Sequence, residues 1–287
     1  MNPNARPFSI WTVAAYALLL PLAVLTLIPF VWLACAALKA PEDFFSSMFL
    51  PTGEGFLGIA WSKLTLVNFR TVLFDAGMAR AMVNSMLIAS LTSILATLAS
   101  AMAGYTLACH KFRGKRAVEI IVLGGLLVPA PLIIAPGYQW LYTLGLLDTW
   151  TGLILPAIAP AFGILLFRQA SLRSIPPEVL EAARIDGAGE GAMFFTVALP
   201  MLRPMIGAFM MITFLATWNN FITPQIVLQS DDKFPLSVLI AQLADVYRQD
   251  YGVIMAGTLF SIFPVMILFL ALQREFISGL TMGAVKG

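Results

Sequence analysis

The sequence predicts an all-α membrane protein that crosses the bilayer six times. Of its 287 residues, 60% are hydrophobic and only 11% are charged, whereas soluble domains are about a quarter charged. Mean hydropathy is +0.88. The charges cluster and leave six charge-free intervals: Pro7 to Leu38, Ala81 to Cys109, Ile120 to Leu147, Thr149 to Phe167, Pro204 to Ser230, and Tyr251 to Gln273. Each supplies about the 20 apolar residues that a helix needs to cross roughly 30 Å of hydrocarbon. This composition excludes a soluble enzyme, a disordered regulator and a secreted disulfide scaffold. A net charge of +2 leaves no basic footprint for nucleic acid.

The expected spans are 10–38, 81–109, 117–147, 150–168, 204–228 and 251–273, within one transmembrane domain covering 1–287. The N-terminal segment 1–9, the loop 169–203 and the tail 274–287 fall on the cytoplasmic side. The first apolar run exceeds the roughly 7–15 residues of a signal-peptide core, so it reads as an uncleaved span. In the loop after it, Leu66 to Leu73 suggests a short amphipathic helical turn on the membrane. The same loop holds Gly53-Glu54-Gly55-Phe56-Leu57-Gly58, but no strand precedes it and no βαβ unit surrounds it, so it reads as an ordinary loop. Pro129, Pro131 and Pro136 predict that a helix ends inside the third interval, with a re-entrant or external turn after it.

Lys and Arg placement sets the orientation. With the N-terminus in the cytoplasm, 11 basic residues fall inside (Arg6, Lys111, Arg113, Lys115, Arg116, Arg168, Arg173, Arg184, Arg203, Arg274, Lys286) and 6 outside. Both termini are then cytoplasmic. Cys35 and Cys109 fall at opposite faces, cannot pair, and read as small buried hydrophobes. His110 is the only histidine, so neither a multi-histidine metal site nor a Ser-His-Asp triad can form within the chain. It opens a basic cluster, His110 to Arg116, whose role is topological and which can also contact anionic lipid. No phosphate-binding G-x-x-x-x-G-K-[ST] occurs, so any ATP must be bound by another chain.

The loop Arg168 to Arg203 holds more structure than a connector needs. Pro176-Pro177 can open a helix, with Glu178 and Glu181 near its positive dipole end. The helix can run to Asp186, with Gly187 as a left-handed cap. A second apolar segment, Met193 to Leu199, is expected to end at Pro200 and Pro204. Ala182 and Ala183 give the first helix a thin face that another protein could approach closely; a helix resting on the inner leaflet is the alternative.

Glu181-Ala182-Ala183-Arg184-Ile185-Asp186-Gly187-Ala188, then Phe194, Leu199-Pro200 and Pro204, resembles the EAA signature of ABC importer permeases. The tail, Gln273 to Gly287 with Gly279, Gly283 and Lys286, is similar to the end of the second permease subunit in maltose-type carbohydrate importers. Trp218-Asn219-Asn220-Phe221 resembles the same family.

The resemblance implies a type I ABC importer permease fold in a bacterial inner membrane. It implies a second permease subunit, an ATPase dimer that binds the ATP and magnesium, an external solute-binding protein, and a sugar substrate. Glu181, Ala182, Ala183, Asp186, Gly187 and Ala188 would form the coupling helix that docks on an ATPase subunit. Gly279, Gly283, Lys286 and Gly287 would add a second ATPase contact. The loop Gln229 to Asp250, with Asp231, Asp232, Lys233 and Asp245, matches in position the loop that would reach the binding protein, with an ordinary solvated loop as the alternative.

The charge-free spans argue against ion coupling and fit a neutral solute. Asn84, Tyr138, Gln139, Trp140, Trp218, Asn219, Asn220 and Gln225 are the aromatic and amide candidates for its path, with helix packing as their ordinary alternative. An importer of a polyol or glycerol phosphodiester, and a secondary transporter working alone, stay open beside the sugar importer.

Overall fold

The computed structural model describes residues 10–246 and 250–284. Among these the fold is helical, with two isolated β-bridges, Lys39 to Leu64 and Thr52 to Ile59. The main helices are α1 (Ile10–Ala37), α2 (Met78–Cys109), α3 (Lys115–Leu127), α4 (Ala130–Thr143), α5 (Trp150–Ala157) and α6 (Ala161–Ser174). They are followed by α7 (Pro177–Ile185), α8 (Glu190–Met201), α9 (Arg203–Trp218), α10 (Ile222–Val227), α11 (Leu236–Val246) and α12 (Tyr251–Ala284).

Among the described residues three helices are individually long and apolar enough to cross a membrane: α1, α2, and α12 over Tyr251–Ala271. Three further segments qualify as bent pairs: α3 with α4 at 107°, α5 with α6 at 42°, and α8 with α9 at 81°. Counting each pair as one span gives up to six by length and composition, with α8 falling in the stretch 169–203 that the sequence assigns to the cytoplasmic loop.

Local chemistry explains the bends. Val128 and Pro129 are extended between α3 and α4, because the residue before a proline is pushed out of the helical region. Pro160, itself extended, stands at the break between α5 and α6. Within α8 the backbone widens into π turns over Met193–Ala198 and then runs on to Met201. This differs from the expected stop at Pro200. A proline has no N–H to donate, and the widened turns just before Pro200 let the helix pass it before bending at Leu202.

Backbone contacts divide the chain into two compact units. One holds the chain up to Gly77 together with Gln242–Ile262; the other holds Met78–Ala241 and the chain from Phe263 onward. In the first unit, α1 is apolar on all sides and almost wholly exposed along its length, as a lipid-facing helix must be. Its last turn is buried at Leu33, Ala36 and Ala37. There Asn68 donates to the carbonyls of Ala37 and Lys39, both at 2.8 Å. Lys39 is 1% exposed, and its ammonium donates to the carbonyls of Phe44 and Ser47. Phe44 stacks on Tyr251 at 5.2 Å. The helical turn expected at Leu66 to Leu73 is present as Val67–Arg70, continuing in π form through Asp75.

In the second unit, α2 is the spine against which α6 and α9 pack. Its buried face is made of small and hydroxyl residues, among them Ser85, Ala89, Ser93, Ala96, Ser100 and Gly104. A Cβ on Gly104 would lie 2.6 Å from the Arg168 nitrogen and 2.7 Å from the Phe167 side chain. A Cβ on Gly163 would lie 2.4 Å from the Phe209 ring and 2.5 Å from Ser100 Oγ. Two apolar clusters flank this crossing. One joins Tyr105, Phe167, Leu180, Phe194 and Phe209; the other joins Ile88, Leu141, Leu153, Val227, Phe234 and Val238. Arg168 bridges to Glu119 at 3.0 Å, tying α3 to α6.

Gly104→Ala should weaken the detergent-solubilised protein by about 1–3 kcal/mol, the usual cost of overpacking, read as a lower unfolding midpoint. Gly124→Ala, whose Cβ would meet nothing within 4 Å, should leave the midpoint unchanged or raise it. Equal midpoints for the two variants would show that the α2–α6 approach is not a constraint.

Candidate functional site

The loop from Arg168 to Arg203 is built as the sequence chemistry requires. Ser174 ends α6, Pro176 is extended, and Pro177 opens α7 with Glu178 in its first turn. At the other end Ala188 N–H donates to the Ala183 carbonyl at 2.9 Å and Gly187 N–H to the Arg184 carbonyl at 3.0 Å. Gly187 sits at φ +81°. This pair of bonds around a left-handed glycine is the Schellman cap, and it satisfies carbonyls that would otherwise be orphaned.

α7 meets the core through Leu180, 5% exposed, which joins the cluster with Tyr105 and Phe194. The rest of the helix stands clear. Glu181, Ala182, Asp186 and Gly187 are exposed, and Ala183 and Ala188 are half-buried. Ile185, at 87% exposure, is an unpartnered apolar residue on the last turn. The structure therefore gathers all six candidate coupling residues on one short, capped, protruding element.

Behind α7, the second limb of the loop is tied to the Cys109 end of α2. His110 Nε2 lies 2.6 Å from Glu190 Oε2, and Arg184 Nη2 lies 3.4 Å from Glu190 Oε1. The hydrogen bond from His110, reinforced by the nearby positive charge, holds the Glu190 carboxyl below its ordinary range. Tyr105 meets His110 edge-on at 5.1 Å and lies 5.5 Å from Phe194.

At the Met78 end of α2 a second polar assembly pins the loop after α10. Asp148, at φ +54°, accepts from Gln229 N and Ser230 N, both at 3.0 Å, and from Ser230 Oγ. Lys233 Nζ lies 2.7 Å from both its carboxylate and its carbonyl. These donors hold the Asp148 carboxyl far below the usual carboxylate range, the Lys233 bond contributing most. A depressed folded pKa adds stability above the ordinary carboxylate range, which is lost only as pH falls through the depressed value. The pin is thus fully charged at neutral and mildly acidic pH.

Asn84 donates to the carbonyls of Asp232 and Phe234 at 2.9 and 3.0 Å, and Ser85 accepts from Leu236 N at 2.7 Å. Sequence reasoning missed the role of Asp148. Its signal was there, a single acid separating two charge-free intervals.

Between α4, α5 and α10 lies a cavity of about 480 Å³. Its walls carry Tyr138 and Trp140 from α4, Asn220 from the turn before α10, and apolar residues such as Ile134, Leu153 and Val227. Of the candidate path residues the structure brings Tyr138, Trp140 and Asn220 together here. Gln139 and Gln225 are exposed and do not line it. Asn219 faces away, its amide donating to the Leu215 carbonyl at 2.9 Å. Trp218 is 6% exposed and stacks on Phe214 at 5.6 Å, a packing role. Asn84 spends its amide on the loop carbonyls.

The candidate tail residues Gly279 and Gly283 lie in the helical run of α12, while Lys286 and Gly287 are outside the described residues. Cys35 and Cys109 are both free thiols. Among the described residues no three or more His, Cys, Asp or Glu side chains gather as a metal site would require.

Comparison with known proteins places this geometry. The chain is 35% identical to the arabinooligosaccharides transport system permease protein AraQ of Bacillus subtilis (strain 168), covering 100% of both chains. It is 39% identical to the AraQ of Halalkalibacterium halodurans over 79% of this chain and 81% of that one. It is 32% identical to the lactose transport system permease protein LacG of Rhizobium radiobacter over 96% of both. A crystal structure of a bacterial ABC transporter involved in importing the acidic polysaccharide alginate shares the fold at a TM-score of 0.79 and 21% identity, covering 96% of this chain and 100% of that one. The family model for the inner membrane component of binding-protein-dependent transport systems matches residues 96–280. That span contains the capped α7, the cavity and both polar assemblies, and the chain belongs to this family of multi-pass membrane transport subunits.

Proposed function

We propose that the chain is the permease subunit of an ATP-driven importer for a sugar, most readily a neutral oligosaccharide. In this reading α7 is the coupling helix, seated on one subunit of a separate ATPase dimer. Both termini then lie in the cytoplasm, the Cys109 end of α2 faces inward, and the Asp148 assembly faces outward. A second permease chain completes the pathway, and an external binding protein delivers the solute. The tail through Gly279 and Gly283 to Gly287 supplies a further ATPase contact.

One observation carries the reading. A helix bearing Glu181, Ala182, Ala183 and Asp186 protrudes from the bundle with Ile185 bare, yet is rooted in the core by Leu180 and ended rigidly at Gly187. A helix serving only to rest on lipid needs no such root. The names of AraQ and LacG, both permeases of oligosaccharide or disaccharide systems, support a sugar as the solute.

The cavity fits such a solute. It offers the aromatic faces of Tyr138 and Trp140, and the Asn220 amide nitrogen, which has no protein partner among the described residues, as donor to a hydroxyl. No charged side chain lines it. In this orientation the loop Gln229 to Asp250 lies on the outer side and reaches the binding protein, and Asp148 holds its first turn.

Gly187→Val forces a β-branched residue into a left-handed position, at a strain of about 1–2 kcal/mol. The variant should insert in the membrane and assemble at wild-type levels. ATP hydrolysis by the complex should continue while binding-protein-dependent uptake falls at least tenfold. Wild-type uptake at wild-type expression would remove α7 from the coupling role.

For the path, Asn220→Ala and Tyr138→Ala should each raise the KM for uptake about tenfold, the loss of roughly 1.4 kcal/mol. Asn219→Ala should leave it unchanged. Labelled arabinotriose, lactose and melibiose are the probes, and a uniform response of all three variants would show that the cavity is not the path.

Asp148→Ala should release the Gln229–Lys233 turn. Limited proteolysis of the intact complex should then cut between residues 229 and 235 at least fivefold faster than in wild type. Unchanged cleavage would show that the turn holds without the carboxylate.

A further inference from the structure

We propose that His110 is a positioning residue of the coupling machinery: by gripping Glu190, it locks both limbs of the cytoplasmic loop to α2, so that the coupling helix and the bundle spine move as one body. The proposal deepens the coupling reading above and rests on it.

The geometry is as follows. α7 touches the core through a single buried side chain, Leu180. One apolar contact is a pivot, and a helix pushed at its exposed end would rotate about it. Four further contacts close that freedom. Arg184, on the last turn of α7, reaches Glu190 across the Gly187 turn, which ties the two limbs together. Glu190 in turn holds His110, the first residue beyond α2. Tyr105, one turn earlier on α2, lies against both the His110 ring and Phe194 of the second limb.

The His110 ring also meets Tyr105 edge-on. Among the described residues its Nδ1 has no hydrogen-bond partner, so Glu190 is the ring's one polar contact, and Nε2 carries the proton that the Glu190 carboxylate accepts. Lys115 caps the His110 carbonyl at 3.1 Å, holding the backbone there. The sole histidine of the chain thus sits at the junction of three elements.

Glu190 is exposed, and exposed ion pairs contribute little to folding. Removal of His110 should therefore leave the fold and the assembly intact while freeing α7 to pivot. That separates a positioning role from a structural one.

The test uses the complete transporter, with its second permease, ATPase dimer and binding protein, in nanodiscs. Cys35 and Cys109 are replaced by Ala, and spin labels are placed at Thr106→Cys on α2 and Glu178→Cys on α7, both exposed in the lone chain and neither among the six coupling residues. With the lock intact, the label-to-label distance should keep its position and width when the complex is trapped with ATP and vanadate. His110→Ala should at least double the width in the trapped state, and His110→Lys, which can still pair with Glu190, should restore it. Equal widths in wild type and His110→Ala overturn the proposal, as does broadening that His110→Lys fails to reverse.

The coupling reading is judged separately, by cross-linking Ala182→Cys to the ATPase subunit. If no cross-link forms although the widths behave as expected, the lock stands and the coupling reading falls. If the cross-link forms and the widths are equal, the coupling reading stands and the lock falls.

Discussion

The close approach of α2 to α6 at Gly104 and Gly163 is the constraint on which the rest of the bundle depends. In water, burial of leucines would hold helices together; in hydrocarbon the tails are as apolar as the side chains, and that driving force is absent. What remains is van der Waals contact, which grows as backbones come nearer, and α2 is made for it with Ala, Ser, Thr and Gly along one face. At Gly104 the two backbones are so close that a methyl group would overlap the Arg168 amide. Phe167 and Phe209, at 5.5 Å and edge to face, then fill the space on either side. With the spine set, α7 and the cavity walls acquire fixed positions relative to it.

Charge is confined to the two ends of this spine, and each end uses it differently. At the Met78 end Asp148 collects donors from one turn and immobilises it. At the Cys109 end Glu190 is shared between the His110 ring and the Arg184 guanidinium, on different elements, linking them. Between the ends the packed face of α2 is polar but uncharged, with the hydroxyls of Thr92, Thr97 and Ser100 buried there.

What could be read in the sequence was what depends on nearby residues. The Gly187 cap follows from a glycine after a helix, and the break before Pro129 follows from proline sterics. Each charge-free interval holds apolar helix because an uncharged run is a local property. The pairing of Asp148 with Lys233, 85 positions apart, depends on how α4, α5 and α10 meet, and no local pattern encodes it. The π turns of Met193–Ala198 were likewise out of reach, since they arise from fitting Pro200 into a helix that continues. Trp218-Asn219-Asn220 shows the limit within one motif. Successive helical residues point about 100° apart, so three neighbours cannot share a task. Trp218 packs inward, Asn219 turns back on its own helix, and Asn220, past the helix end, reaches the cavity.

In the proposed coupling role, the same geometry explains how a nine-residue helix can stand out from the bundle and still be held. A lever that transmits force needs a narrow grip at one end and a stiff root at the other, and the two demands compete for the same nine residues. Here the root is delegated. Leu180 alone is buried, while stiffness is borrowed from Pro177 at the start, the Gly187 cap at the end, and the Arg184–Glu190–His110 chain behind. Glu181, Ala182 and Ile185 are left open as a result, a thin face with one charge and one apolar side chain. Such a face suits a partner that must hold the helix firmly through every cycle without burying more of it than the bundle can spare.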